Sequence, residues 1–186
     1  VHNGFTSVEA GDTDVRGELG IDGPLLFFVG RHTDQKGITH LLYAMRKLGE
    51  TDATLVLGGS GHQTEHLKMF AELLGIDDRV QFPGYIAEEE LGDYYEAADV
   101  FVSPSRAEPF GLTITEALAA GAQVVATPSG VRETVPDDCL VEVTTHSDSI
   151  ADGIREALAR EGEPEYEPRT WDEVADDLLD VYEQTR

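Results

Sequence analysis

Short apolar runs alternate with longer amphipathic stretches along the chain. Leu25-Leu26-Phe27-Phe28-Val29 contains no polar residue and ends at Gly30, which is how a strand buried on both faces reads. Between residues 37 and 48, Ile38, Leu41, Leu42, Met45 and Leu48 recur at helical spacing and predict an amphipathic helix. A strand is expected at 53–57, running into Gly58-Gly59-Ser60-Gly61. A helix at 63–74 follows, with Leu67, Phe70, Ala71 and Leu74 on one face. Further strands are expected at 79–82, 99–103, 123–127 and 140–143, and further helices at 88–97, 112–120 and 147–160. Pro164 and Pro168 break the chain before a terminal helix at 171–182, where Trp171, Val174, Leu178, Val181 and Tyr182 read as packing residues.

Strands alternating with helices predict an α/β fold: a Rossmann-like, doubly wound parallel sheet with helices on both faces, closed by a C-terminal helical segment at 164–186. No internal repeat or low-complexity segment interrupts the pattern. Sheets of this kind bind ligands beyond the carboxyl ends of the strands, near the point where strand order reverses. The loops that follow strands are therefore where chemistry is expected.

Charge changes the picture next. Thirteen Lys and Arg stand against 37 Asp and Glu, for a net charge of -24 over 186 residues. Such a surface repels phosphate backbones and anionic lipid, so nucleic acid and membrane surfaces are poor partners for most of it. Lys is confined to Lys36, Lys47 and Lys68. An acidic mesophilic protein is one reading; the scarcity of Lys favours the other, a halophilic protein in whose salty cytoplasm screening removes the self-repulsion of the carboxylates. Cys139 is the sole cysteine, which fits a reducing cytoplasm, and its setting among acids and apolar residues reads as a buried core thiol. No apolar run approaches the roughly 20 residues needed to cross a bilayer. The chain opens on Val1-His2-Asn3-Gly4, with neither a cleavable leader nor a Met, and reads as a fragment that starts inside a turn.

Two loops carry candidate chemistry. Gly30-Arg31-His32-Thr33-Asp34-Gln35-Lys36-Gly37 places two of the few cations beside the mouth of the sheet. There a planar guanidinium and a mobile ammonium can clamp a diphosphate, though a solvated loop with incidental charge reads equally well on spacing alone. The second is Glu108-Pro109-Phe110-Gly111-Leu112-Thr113-Ile114-Thr115-Glu116. A helix beginning near Gly111 or Leu112 would present its first amide groups to an anion. Glu108 before it and Glu116 one turn inside could accept paired hydrogen bonds from sugar hydroxyls on either side.

These segments, with Gly59-Ser60-Gly61, Val80-Gln81-Phe82-Pro83-Gly84-Tyr85 and Glu116-Ala117-Leu118-Ala119-Ala120-Gly121, stand in an order and spacing that resembles the C-terminal domain of retaining family 4 glycosyltransferases of the GT-B fold. The likeness extends over nearly the whole chain, residues 1–186, from Asn3-Gly4 onward. It implies a donor-binding domain whose N-terminal, acceptor-binding half is absent, so that the fragment binds nucleotide but transfers sugar poorly. It implies that Arg31, Lys36 and Glu108 are catalytic, the cations neutralising the donor diphosphate and Glu108 holding the donor sugar. It further implies donor contacts from Gly30, Gly59, Tyr85, Ile86, Phe110, Gly111, Leu112 and Glu116, with Glu116 on the ribose and Tyr85 and Ile86 at the base. The donor would be a nucleotide diphosphate sugar and the acceptor a hydroxyl compound, with no cofactor and no metal. Gln123 and Val131 stand where the family often has Pro and Gly, and Val131 would narrow the loop near the sugar.

A non-catalytic nucleotide-binding or regulatory module, or a sugar-nucleotide epimerase or phosphorylase of similar fold, would share much of the pattern. His62-Gln63-Thr64-Glu65-His66 has the spacing of a zinc peptidase helix, yet no third ligand accompanies it. Asp12-Thr13-Asp14 precedes the first strand rather than ending one and reads as surface. Gly59-Ser60-Gly61 is only part of a dinucleotide fingerprint.

Overall fold

The computed structural model describes residues 10–108, 110–130, 135–168, 173–176, 179 and 182. In chain order the elements are α1 (Val15–Leu19), β1 (Leu25–Val29), α2 (Ile38–Lys47), β2 (Thr54–Gly58), α3 (Thr64–Leu74), β3 (Val80–Gly84), α4 (Glu88–Ala97), β4 (Val100–Ser103), α5 (Leu112–Ala119), β5 (Gln123–Ala126), β6 (Leu140–Glu142) and α6 (Ser147–Ala159). The six strands are parallel and lie in the order β3-β2-β1-β4-β5-β6. The chain winds outward from β1 to β3, returns to the middle, and winds the other way from β4 to β6. The strand order therefore reverses between β1 and β4, which is where a doubly wound sheet opens a crevice.

Successive residues of one strand point to opposite faces, and two apolar clusters result. Leu26 and Phe28 of β1 face α2, α3 and α6, meeting Leu41, Leu42, Met45, Leu67, Ile150 and Ile154. Leu25 and Phe27 face the other way, toward α1, α4 and α5, with Val15, Tyr95, Ile114 and Leu118. An uninterrupted apolar run is thus what a strand with helices on both sides requires. Phe27 packs edge-on against Tyr95 and Phe101, with ring centroids 5.4 and 5.9 Å apart.

Some details differ from the sequence reading. Asp12 and Asp14 are exposed, as expected of a surface segment, but Asp14 is also the N-cap of α1, its carboxylate accepting from the Gly17 N–H at 2.9 Å. Five residues are too few for a periodic pattern to announce a helix. Arg16 then staples α1 to the far end of the sheet, donating to the Ala97 and Gly23 carbonyls and to Asp99, whose carboxylate also accepts from the Leu25 N–H. At the C-terminus, helical backbone occurs at 173–176, 179 and 182. Val174 is buried, but Tyr182 is 72% exposed and is not the packing residue expected. Trp171, Leu178 and Val181 fall outside the described residues. Cys139 is buried, and burial, reinforced by Asp138, pushes its thiol above the usual range. Among the described residues no helix is long and apolar enough to cross a membrane.

Candidate functional site

The loops after β1, β2 and β3 are stitched together by backbone hydrogen bonds at the mouth of the sheet. Gly30 N–H donates to the Gly58 carbonyl, Gly59 N–H to Gly84, and His32 N–H to Ser60. Gly59 adopts φ 98°, and a Cβ there would stand 2.1 Å from the Gly30 carbonyl oxygen, so only glycine lets these two chains pass so closely. Gly37 closes the Arg31–Lys36 loop in the same way: its φ is 68°, and a Cβ would meet the Pro104 carbonyl oxygen, just after β4, at 2.2 Å. The Arg106 N–H adds a bond of 2.8 Å to the Gln35 carbonyl. The loops of β1 and β4, on either side of the topological switch, thus form one rigid rim.

A cleft of about 350 Å³ opens in this rim, lined by Val29, Gly30, Arg31, Gly59, Tyr85, Ile86 and Glu88 among others. Four of the residues expected to contact a donor, together with Arg31, line it. Ile86 is buried beneath it and Tyr85 is exposed at its edge. Lys36 lies alongside: its Cε is 3.8 Å from the place a Cβ of Gly30 would occupy.

Lys36 is not a free cation. Its Nζ donates to Glu108 Oε2 at 2.6 Å, and the two side chains are only 26% and 15% exposed. Ser105 Oγ stands 3.5 Å from the same oxygen. The ammonium was expected to serve a diphosphate and the carboxylate a sugar as separate groups; here they form one partly shielded pair. The backbone at Glu108 is held from the β5 side. Its carbonyl accepts from Gly130 N–H at 3.3 Å, and the Thr127 hydroxyl sits 2.5 Å from the Ser105 carbonyl.

Beyond the loop, α5 begins at Leu112 with Gly111 as its N-cap, and no capping side chain satisfies its first amides. Phe110 and Leu112 are exposed. Glu116 sits one turn inside and accepts the Tyr95 hydroxyl on Oε2 at 2.7 Å. Burial raises the pKa of Glu116 and the charge of Glu88 adds to this, while the Tyr95 hydrogen bond opposes it. Burial, reinforced by Glu116, pushes the Tyr95 phenol well above its ordinary range, so it remains a donor. The sequence reading treated Tyr95 only as part of a helix. Its one available signal was an aromatic phenol on the inward face of α4, a position where a hydroxyl must find a partner.

His32, quoted earlier only as a loop residue, is fully buried beneath the rim, with Nδ1 2.9 Å from Thr64 Oγ1. Burial lowers its pKa, aided by Lys68 and opposed by the Gly58 carbonyl, which lies near the ring although Nε2 makes no well-formed hydrogen bond. The residues of the zinc-like pattern are engaged elsewhere: Glu65 pairs with Lys68, and His66 stacks on Phe70. Gln123 donates to the Gly162 carbonyl at the opposite end of β5, away from the mouth. Pro109 and Val131 lie outside the described residues. A roomier cavity of about 680 Å³, lined by Pro24, Asp99, Gln123 and Arg160, also opens at that opposite end, and none of Arg31, Lys36, Glu108 and Glu116 lines it.

Comparison with known proteins bears on this geometry. The profile of the family described as "Glycosyl transferases group 1" matches residues 13–173. An uncharacterized glycosyltransferase of Methanocaldococcus jannaschii is 36% identical over 175 residues, covering 87% of this chain and 45% of that protein. Among solved structures, the sucrose-phosphate synthase from Thermosynechococcus elongatus superposes with a TM-score of 0.78 at 28% identity, covering 97% of this chain and 51% of that one. The Anabaena protein HepE, solved in complex with UDP-glucose, gives a TM-score of 0.71 at 25% identity over 83% of this chain and 46% of that one. The chain spans about half the length of the curated relatives it matches.

Proposed function

Because the chain belongs to the glycosyl transferases group 1 family and has the fold of one GT-B half, we propose that residues 1–186 form the donor-binding domain of a retaining glycosyltransferase. An N-terminal acceptor-binding domain completes the enzyme. The donor is a nucleotide diphosphate sugar, and its glycosyl group passes to an acceptor hydroxyl. The bond from the anomeric carbon to the diphosphate breaks as the bond to the acceptor oxygen forms on the same face. The departing phosphate takes the acceptor proton. Arg31, Lys36 and the first amides of α5 stabilise the charge that gathers on the leaving group. Glu108 accepts from the donor sugar, with Phe110, Gly111 and Leu112 beside it. Glu116 accepts from the ribose, and Gly30, Gly59, Tyr85 and Ile86 surround the base.

The observation that carries this reading is the Lys36–Glu108 pair, 2.6 Å apart at the switch point of the sheet. It sets a cation for phosphate against a carboxylate for sugar, as the junction of a nucleotide sugar requires. The complex of HepE with UDP-glucose supports the same class of donor. Titration calorimetry of this chain with UDP, GDP and ADP tests it. At least one is expected to bind with a Kd below about 1 mM, whereas this domain alone should transfer sugar poorly; silence with all three nucleotides would count heavily against a donor site.

The acidic surface fits a halophilic, cytoplasmic setting. With a net charge of -24, self-repulsion should dominate at low ionic strength. The melting temperature is expected to rise by roughly 5–10 °C between low salt and molar KCl, the change that 2–3 kcal/mol produces at this chain length. Identical melts in the two buffers would remove the halophilic reading.

A further inference from the structure

We infer that Tyr95 is the positioning residue for Glu116, committing one carboxylate oxygen so that the other meets the ribose in a fixed orientation. This rests on the donor-site reading above. Tyr95 is completely buried and belongs to α4, whereas Glu116 belongs to α5. Its ring is held edge-on between Phe27 of β1 and Phe101 of β4, at centroid distances of 5.4 and 5.5 Å. Those are the two strands between which the sheet order reverses. The phenol is therefore anchored against the two central strands, and its hydroxyl reaches Glu116 Oε2 at 2.7 Å.

A glutamate near the start of a helix has three rotatable bonds, and ordering them on ligand binding costs conformational entropy. The Tyr95 hydroxyl removes that cost in advance, because Glu116 is already fixed when the ligand arrives. Glu88, which lines the cleft, is near enough for its charge to be felt at Glu116. The hydroxyl also opposes the effect of burial, which on balance raises the pKa of the carboxyl. Paired hydrogen bonds from sugar hydroxyls to the Glu116 carboxylate are expected from the sequence; one acceptor position, on Oε2, is taken by Tyr95, and Oε1 is left for the ribose.

Tyr95→Phe removes the hydroxyl and preserves the aromatic packing. Glu116 is only half-buried and can take a water in exchange, so the variant should fold, which a thermal melt verifies. Calorimetry with UDP and GDP is compared with their 2′,3′-dideoxy forms, on wild type, Tyr95→Phe, Glu116→Ala and the double variant. Tyr95→Phe should weaken the ribonucleotide that binds wild type by about tenfold, leave its dideoxy form unchanged, and add nothing on the Glu116→Ala background. An equal loss for both sugars would reduce Tyr95 to a packing residue. Undiminished ribonucleotide affinity would overturn the inference while the donor-site reading stands. Absence of binding by wild type would remove both.

Discussion

Replacing Glu108 by glutamine is expected to slow glycosyl transfer by roughly 10–10²-fold while nucleoside diphosphate affinity stays within about twofold, or tightens. A hydrogen bond to a charged group contributes about 1.5–3 kcal/mol, and Glu108 is proposed to meet the sugar at the carbon under attack, where each 1.36 kcal/mol is worth about tenfold in rate. Glutamine keeps the length of the side chain but loses the charge that holds Lys36 at 2.6 Å. The freed ammonium can then follow the diphosphate, which is why a nucleotide lacking sugar should not lose affinity. Initial rates are to be measured in a polypeptide that joins this domain to its acceptor-binding half, with calorimetry on this chain alongside. Turnover that survives the substitution would favour a nucleotide-binding module over a transferase.

The second large effect is expected far from any charge. Gly37→Ala should lower the melting temperature by about 6–12 °C, as a destabilisation near 3 kcal/mol does in a chain of this length. Two penalties combine. The backbone at Gly37 has φ 68°, and the new Cβ would fall 2.2 Å from the Pro104 carbonyl oxygen, well inside contact distance. An oxygen of the main chain cannot swing away as a side chain would, so the loops of β1 and β4 must part. Lys36 and the Glu108 loop then separate, and nucleotide-sugar affinity should fall with stability. A melt and a titration on the same sample check both; an unchanged melting temperature would mean that the two loops are not bound to each other as described.

Much of the architecture was legible before any coordinates. The run from Leu25 to Val29 had no polar residue because both its faces are covered, by α2, α3 and α6 on one side and α1, α4 and α5 on the other. Helices such as α2 declared themselves through Ile38, Leu41, Leu42 and Met45. The elements that stayed hidden were short: α1 has five residues and cannot display a period. In the site, glycines and charges in ordered segments marked which loops meet. The partnership of Lys36 with Glu108, and of Tyr95 with Glu116, could not be read that way. Each joins residues from different elements, 72 and 21 positions apart, and such distances are set by strand order and helix rotation, which no local pattern encodes.

The close passage of Gly59 beneath the Gly30 carbonyl, and of Gly37 against Pro104, means that the rim of the cleft is held main chain to main chain. Its outline does not depend on which side chains project from it. Arg31, Ser60 and Tyr85 could be exchanged for other residues with the opening left intact, so a new ligand preference could be grafted onto the same frame by altering three exposed side chains rather than by rebuilding the loops that bear them.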